Sequence, residues 1–382
     1  MPYVPVLIPI TWLVGLLSLA LLGGGAYLLW AWYVGALVGT AYLVGGLVAT
    51  IWTFLGHRIL LLLWRRPGRD EPRAARDGEV RRVARPDGSD LQVEIYGPAR
   101  GPTLLITHGL GTDSTAWYYA KKQLATRFRL IVWDLPGLGK SRGPSNADYS
   151  LATLARDLEA VVQLAGDGPV YLLGHSMGGM ITLAFCRLFP RHLGRAVAGL
   201  VLVNTTYTNP VTTTSFSGFC RAAQKPLLEP LLHLIVWLSP LARLMNVLGY
   251  LNGSAHIQSA LTGFAGTDTR GMLDFAARYT PACSPAVLAR ATLATFALDE
   301  AATLGTIPVP VLVVTGHLDR VLVPEASARM RELIPSARLV TLAPANHLGF
   351  MEQHEAFASV VTEFIEGHAT GARPDVLGAS PR

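Results

Sequence analysis

The stretch Val170-Tyr-Leu-Leu-Gly-His-Ser-Met-Gly-Gly-Met180, VYLLGHSMGGM, sets a short apolar run against a serine with glycine two positions before it and two after it. Four apolar residues bounded in this way fit a strand covered on both faces, and the apolar residues of MGGMITLAFCRLF, from Met177 onward, recur at helical spacing. Ser176 is therefore predicted at a strand-to-helix turn. A serine there takes a positive φ, and Gly174 and Gly178 are needed because side chains at those positions would collide across the bend. Its hydroxyl would stand at the positive end of the following helix, with the Met177 N–H available to an oxyanion. The chain has 38 glycines, so the pentapeptide carries weight only through what surrounds it.

The surroundings alternate between strands and helices. EVRRVARPDGSDLQVEIYG, from Glu79, reads as a hairpin turning at Pro86-Asp87-Gly88-Ser89. After it come apolar runs bounded by Gly, Pro or Asp: TLLITHG (103–109), RLIVWD (129–134), PVYLLGHS (169–176), GLVLVN (199–204), VPVLVVTG (309–316) and ARLVTLA (337–343). Helical stretches lie between most of them, such as Leu151 to Leu164, with Leu151, Leu154, Leu158, Val161 and Val162 on one face. This order predicts an α/β fold, a mostly parallel sheet of about eight strands flanked by helices, over 79–204 and 301–367. The interval 205–300 has no clear strand and is far too long for a connection, so a helical cap or lid is expected there. Its middle, PLLEPLLHLIVWLSPLARLMNVLGYL, either packs on the core or also meets lipid or an acyl chain. Residues 368–382 read as a disordered tail.

The excess of apolar residues, 51% of the chain with a mean hydropathy of +0.36, lies at the front. No Asp, Glu, Lys or Arg occurs before Arg58, and the apolar run reaches Trp64. A spanning helix needs about 20 apolar residues, so residues 1–64 predict a transmembrane hairpin with spans near 6–29 and 35–63. One span plus a re-entrant piece is the alternative, whereas a signal peptide lacks its basic start and would be several times too long. Trp30, Trp32 and Tyr33 are expected as an aromatic belt at the turn, and the Gly35/Gly39 GxxxG pair, continued by Gly45, Gly46 and Ala49, as the helix contact. The linker 65–78 and the residues just after it are basic, with eight arginines between Arg65 and Arg85 against four acids. Beside a membrane such a cluster keeps its end on the cytoplasmic side and can meet anionic head groups, placing the large domain there too. The net charge of +6 then needs no nucleic acid, and no nucleic-acid motif is present. Cys186, Cys220 and Cys283 show neither disulfide nor zinc spacing.

The second oxyanion donor is expected in His108-Gly109-Leu110-Gly111, where glycines let the backbone turn inward and the Leu110 N–H can point at a carbonyl oxygen. The base is expected at His347, in the loop after the last strand. His354 falls on the next helix facing solvent, and His108 and His175 are expected to have structural hydrogen-bonding roles. Asp319, after the preceding strand, is the expected orienting acid, with Glu325 the back-up at a helix start where a cap role fits better.

These residues carry a resemblance. H108-G-L-G111, D134-L-P-G-L-G-K-S141, G174-H-S-M-G178, T315-G-H-L-D319 and N346-H347-L-G-F-M-E-Q, in this order, resemble the α/β-hydrolase superfamily over about residues 79–367, in its capped serine esterase/lipase branch, monoacylglycerol-lipase-like. The resemblance implies Ser176, Asp319 and His347 as catalytic triad, Leu110 and Met177 as oxyanion hole, Asp134 as structural, and no metal or organic cofactor. It implies acyl transfer, and the membrane segment and apolar cap favour lipophilic esters such as acylglycerols. Carbon–carbon bond hydrolysis, thioesterase or perhydrolase chemistry on the same triad, and a non-catalytic binding protein, are the rival expectations. The sequence leaves the oligomeric state open.

Overall fold

The computed structural model describes residues 7–166 and 168–369. The core is one eight-stranded sheet in the order β1-β2-β4-β3-β5-β6-β7-β8. β1 (Glu79–Ala84) and β2 (Asp90–Tyr96) form the antiparallel hairpin expected around Pro86–Ser89, and β2 pairs antiparallel with β4 (Arg129–Trp133). From β4 the sheet is parallel through β3 (Thr103–Thr107), β5 (Val170–His175), β6 (Val197–Val203), β7 (Val311–Gly316) and β8 (Ala337–Leu342). Every residue of β3, β5 and β7 is buried, which is why these strands read as unbroken apolar runs.

Two long helices precede the sheet, α1 (Leu7–Tyr33) and α2 (Thr40–Trp64), each long and apolar enough to cross a membrane. They pack antiparallel through small residues: Gly25 lies against Ala49 and Thr50, and a Cβ on Gly46 would fall 2.8 Å from Leu29 Cγ. The expected Gly35/Gly39 contact is corrected here. Both glycines sit in the turn between the helices, at φ 74° and 128°, where they supply left-handed backbone instead of a packing seam. Trp30, Trp32 and Tyr33, expected as a belt, complete the last turn of α1.

The flanking helices of the sheet are α3 (Tyr118–Leu124), α4 (Leu151–Val162) and α5 (Met177–Leu188). Between β6 and β7 the chain forms the cap: α6 (Ser217–Ala223), α7 (Glu229–Trp237), α8 (Ser239–Leu251), α9 (Ser254–Gly263), α10 (Arg270–Ala277), α11 (Tyr279–Ala282) and α12 (Pro285–Thr295). The fold then continues through α13 (Ala301–Leu304), α14 (Pro324–Leu333), α15 (Gly349–Glu352) and α16 (His354–Ala369). The expected tail lies outside the described residues from 370 on, and its first two residues belong to α16.

The cap packs on both N-terminal helices. Asn252, capping α8, donates to Ser18 Oγ at 2.8 Å, and Gln258 donates to Thr11 Oγ1 at 3.1 Å. A Cβ on Gly56 would fall 2.6 Å from the Asn252 carbonyl oxygen, so α2 approaches the cap backbone directly. His57 Nδ1 bonds the Leu251 carbonyl at 2.8 Å, and Arg65 pairs with the buried Asp268 carboxylate at 2.8 Å. Arg270 Nε reaches the carbonyls of Leu61 and Arg65, satisfying the end of α2.

Much of the basic cluster is likewise engaged by the core. Arg76 pairs with Asp134 at 2.9 Å and Asp113 at 3.0 Å, while Arg82 and Arg85 pair with Asp90 and Asp157. Arg66, Arg69 and Arg73 are exposed.

Candidate active site

Ser176 joins the end of β5 to the start of α5 at φ 53°, ψ −120°, a conformation costly for any residue with a side chain. The surrounding structure imposes it. Ser176 N–H donates to the Val203 carbonyl at 2.9 Å, and its own carbonyl accepts from Thr205 Oγ1 at 2.7 Å. A Cβ on Gly174 would overlap the Gly178 carbonyl, and one on Gly178 would overlap the Thr107 carbonyl. Both glycines are therefore required by contact with backbone, which cannot yield as a flexible side chain could.

Ser176, Met177 and Leu110 line one small cavity of about 40 Å³ together with Val321 and Leu322 from the loop after β7. Met177 N–H is the first amide of α5 and so among those with no intrahelical carbonyl to bond. The loop bearing Leu110 approaches closely because residue 109 is glycine: a Cβ there would fall 2.7 Å from His175 Nδ1 and 3.0 Å from Ser176 Cβ.

Asp319 and His347 meet at the C-terminal end of the sheet. His347 Nδ1 lies 2.9 Å and 3.1 Å from the two carboxylate oxygens of Asp319, and both side chains are buried. Asp319 Oδ1 also accepts the N–H groups of Val321 and Leu322, and Oδ2 accepts Asn204 Nδ2 at 2.7 Å. His347 Nε2 is buried and makes no hydrogen bond among the described residues. The carboxylate thus fixes one ring nitrogen and leaves the other disengaged.

The other candidates fall elsewhere. His175 Nε2 donates to the carbonyl of His347 at 3.0 Å, so the residue before the serine holds the backbone of the loop histidine. Burial pushes its imidazole well below 6.5, and the neighbouring His347 adds to this. His108 accepts the Leu135 N–H at Nε2 (2.9 Å) and faces the Gly109 carbonyl with Nδ1 (2.8 Å), which fixes the Nδ1–H tautomer; burial lowers it too. Asp134 accepts the N–H groups of Ser114 and Lys140 and pairs with Arg76. Glu325 is exposed in the first turn of α14 and makes no side-chain cap bond. His354 corrects the solvent-facing expectation: it stacks on Tyr119 with ring centroids 4.0 Å apart and bonds Gln123 at 2.8 Å.

Three supporting residues escaped the sequence reading. Asn204 holds the Asp319 carboxylate from a left-handed position, φ 44°, just after β6. Asn346 donates from Nδ2 to the Phe264 carbonyl in the cap, and its Oδ1 accepts the His347 N–H. The buried Glu352 carboxylate accepts the N–H groups of Ala265, Thr267 and Asn346, joining cap and histidine loop. Asn204 ends GLVLVN, and Asn346 and Glu352 belong to N346-H347-L-G-F-M-E-Q, so only their placement was hidden.

The strand order, the strained serine turn and the buried Asp–His pair define a hydrolase-type site, and the chain belongs to the alpha/beta hydrolase family, whose model matches residues 104–360. It is 28% identical over 265 residues to a pimeloyl-[acyl-carrier protein] methyl ester esterase of Sodalis glossinidius, covering 69% of this chain and 93% of that one. It is also 30% identical over 319 residues to the polyketide synthase ThaQ of Burkholderia thailandensis, of which it spans only 13% while 78% of this chain is covered. Among solved structures, the esterase RhEst1 from a Rhodococcus species superposes with a TM-score of 0.62 at 24% identity, over 76% of this chain and 99% of that one. A membrane phospholipase A superposes with a TM-score of 0.60 at 23% identity, over 77% and 87% respectively. Below 25% identity these two likenesses concern the fold.

Proposed function

We propose that the protein is a membrane-anchored serine hydrolase of carboxylic esters, with Ser176 as nucleophile, His347 as base and Asp319 as the acid that orients it. The observation that carries this reading is the doubly bonded His347–Asp319 pair with a disengaged Nε2, in the same fold end as a serine held at positive φ. Ser176 Oγ attacks the ester carbonyl as its proton passes to His347 Nε2, and the oxyanion is held by the N–H groups of Met177 and Leu110. The intermediate collapses with loss of the alcohol, which takes the proton from His347. Water then repeats the sequence on the acyl-serine and releases the acid.

The name of the Sodalis relative supports ester cleavage. Lipophilic esters such as acylglycerols suit a domain joined to two helices of spanning length, and the exposed Arg66, Arg69 and Arg73 suit a cytoplasmic, anionic membrane face. Labelling with a fluorophosphonate probe tests the nucleophile: wild type is labelled and Ser176→Ala is not, and persistent labelling of the mutant rejects the assignment. A folded wild type that takes no label would instead favour a binding role for the fold. Rates on p-nitrophenyl esters of rising chain length test the lipid preference, which a short-chain optimum would refute.

A further inference from the structure

An apolar groove of about 670 Å³ lies between α1 and the cap helix α9. Ile10 and Val14 of α1 and Ile257 and Leu261 of α9 line it, together with Arg320. Its walls are open: Ile10, Ile257 and Leu261 are 47%, 44% and 55% exposed. Its size is that of a site for a small apolar molecule.

Two relationships say what occupies it. The first is depth. The antiparallel pairing of Gly25 with Thr50 and Gly46 with Leu29 sets Ile10 and Val14 level with the last turn of α2 and the residue after it, Trp64 and Arg65. There the Arg65 guanidinium lies 4.2 Å over the Trp64 ring, an aromatic–basic pair of the type found at the bilayer surface. At 1.5 Å per residue, Val14 and Ile10 lie roughly 28 and 35 Å along α1 from Tyr33, against a hydrocarbon thickness of about 30 Å. With α1 and α2 spanning a bilayer, the groove straddles the boundary between hydrocarbon and head groups on the side of the domain, where the acyl ester linkages of a bilayer lipid lie.

The second is connection. Arg320 is flanked by Asp319 on one side and on the other by Val321 and Leu322, which line the Ser176 cavity. At the end of α9, the Gly263 carbonyl accepts the Leu348 N–H at 2.8 Å, one residue from His347. Two residues of the groove, Arg320 and Thr262, thus adjoin along the chain the segments that carry the acid and hold the base loop.

From this juxtaposition we infer that the groove between α1 and α9 is an acyl-chain site, which takes a long-chain ester sideways from the bilayer leaflet nearest the domain and directs its carbonyl toward Ser176. The helix α1 is then part of the substrate site. This rests on the ester-hydrolase reading for its catalytic meaning, although chain binding itself does not depend on it.

The test uses the full chain in phosphatidylcholine vesicles with palmitic acid bearing a diazirine at its chain end. Photolabelling should concentrate on residues 10–14 and 254–262 and fall at least fivefold in the variant Ile257→Trp/Leu261→Trp, which fills the groove. Labelling spread evenly over the outward faces of α1 and α2, or unchanged in the variant, overturns the inference, and the wild-type map decides even if the variant does not fold. The ratio of p-nitrophenyl palmitate to p-nitrophenyl butyrate kcat/KM should fall at least tenfold in the variant; an unchanged ratio also counts against the groove. A wild type that binds the fatty acid in the groove but hydrolyses neither ester refutes the hydrolase reading alone.

Discussion

His347 Nδ1 faces both oxygens of the Asp319 carboxylate, at 2.9 and 3.1 Å, and that carboxylate is held in turn by Asn204 and two backbone amides. A ring held this way keeps its hydrogen on Nδ1 and presents a basic Nε2. Asp319→Asn preserves the shape but allows an amide N–H to face Nδ1, which favours the wrong tautomer. The expected result is a loss of about 10³- to 10⁴-fold in kcat with little change in KM, measured on a chromogenic ester. A loss below tenfold would remove Asp319 from the assigned role. Asn204→Ala should cost less, because two amide donors to the carboxylate remain.

Gly178 sits where any Cβ overlaps the Thr107 carbonyl of the neighbouring strand. Gly178→Ala must displace backbone in a close-packed turn, and a destabilisation of about 3 kcal/mol or more is expected. Gly218, by contrast, has open space around its Cβ position, so Gly218→Ala serves as the control. Thermal melts of the two variants should separate clearly, and similar melting temperatures would contradict the crowding.

Removal of residues 1–64 uncovers cap surface that α1 and α2 now cover, including Asn252 and the face around Met245, whose side chain contacts Gly15. It also leaves the Leu251 carbonyl without the His57 ring nitrogen. The truncated chain should therefore melt lower and aggregate, as seen by size-exclusion chromatography against full-length protein in the same detergent. A monodisperse truncated domain of undiminished stability would show that the hairpin is a detachable tether.

Stability should fall in mild acid. Burial pushes His108 and His175 below their ordinary value of 6.5, so both stay neutral in the fold while the unfolded chain takes up protons at each as pH falls below that value. Their contribution is fully present above about 6.5 and is lost progressively below it, at up to about 1.4 kcal/mol per pH unit for each ring. Melting temperatures between pH 8 and pH 5 should follow this course, and His175→Gln should make the slope shallower. An unaltered slope in that variant would mean that His175 does not take part.

The sheet was legible because buried parallel strands must be apolar throughout, and VPVLVVTG and PVYLLGHS say so residue by residue. The serine turn was legible because Gly174 and Gly178 answer to backbone contacts that no other residue tolerates. What the sequence could not indicate was pairing at long range. Gly35 and Gly39 have the spacing of a helix seam, yet the chain uses them to turn, since spacing does not disclose whether a segment is helical. The arginines after Trp64 read as one basic cluster, but Arg65, Arg76, Arg82 and Arg85 meet acids that lie from 8 to 203 residues away. His354 escapes the sequence for the same reason, because Tyr119, on which it stacks, stands far from it along the chain.

The bonds around Glu352 have a mechanical meaning. From Ser18 through Asn252, round the turn at Gly253, along α9 to Gly263 and across to Leu348, a path of hydrogen bonds and helix runs to the histidine loop, and Glu352 braces its last link. This path ties the N-terminal helices to the loop of His347. A cap that swung open on a hinge would have to drag the imbedded imidazole with it and break its alignment. On that reading, traffic in and out is better served by the side groove than by a moving lid, and force applied to the hairpin reaches the histidine loop through these bonds.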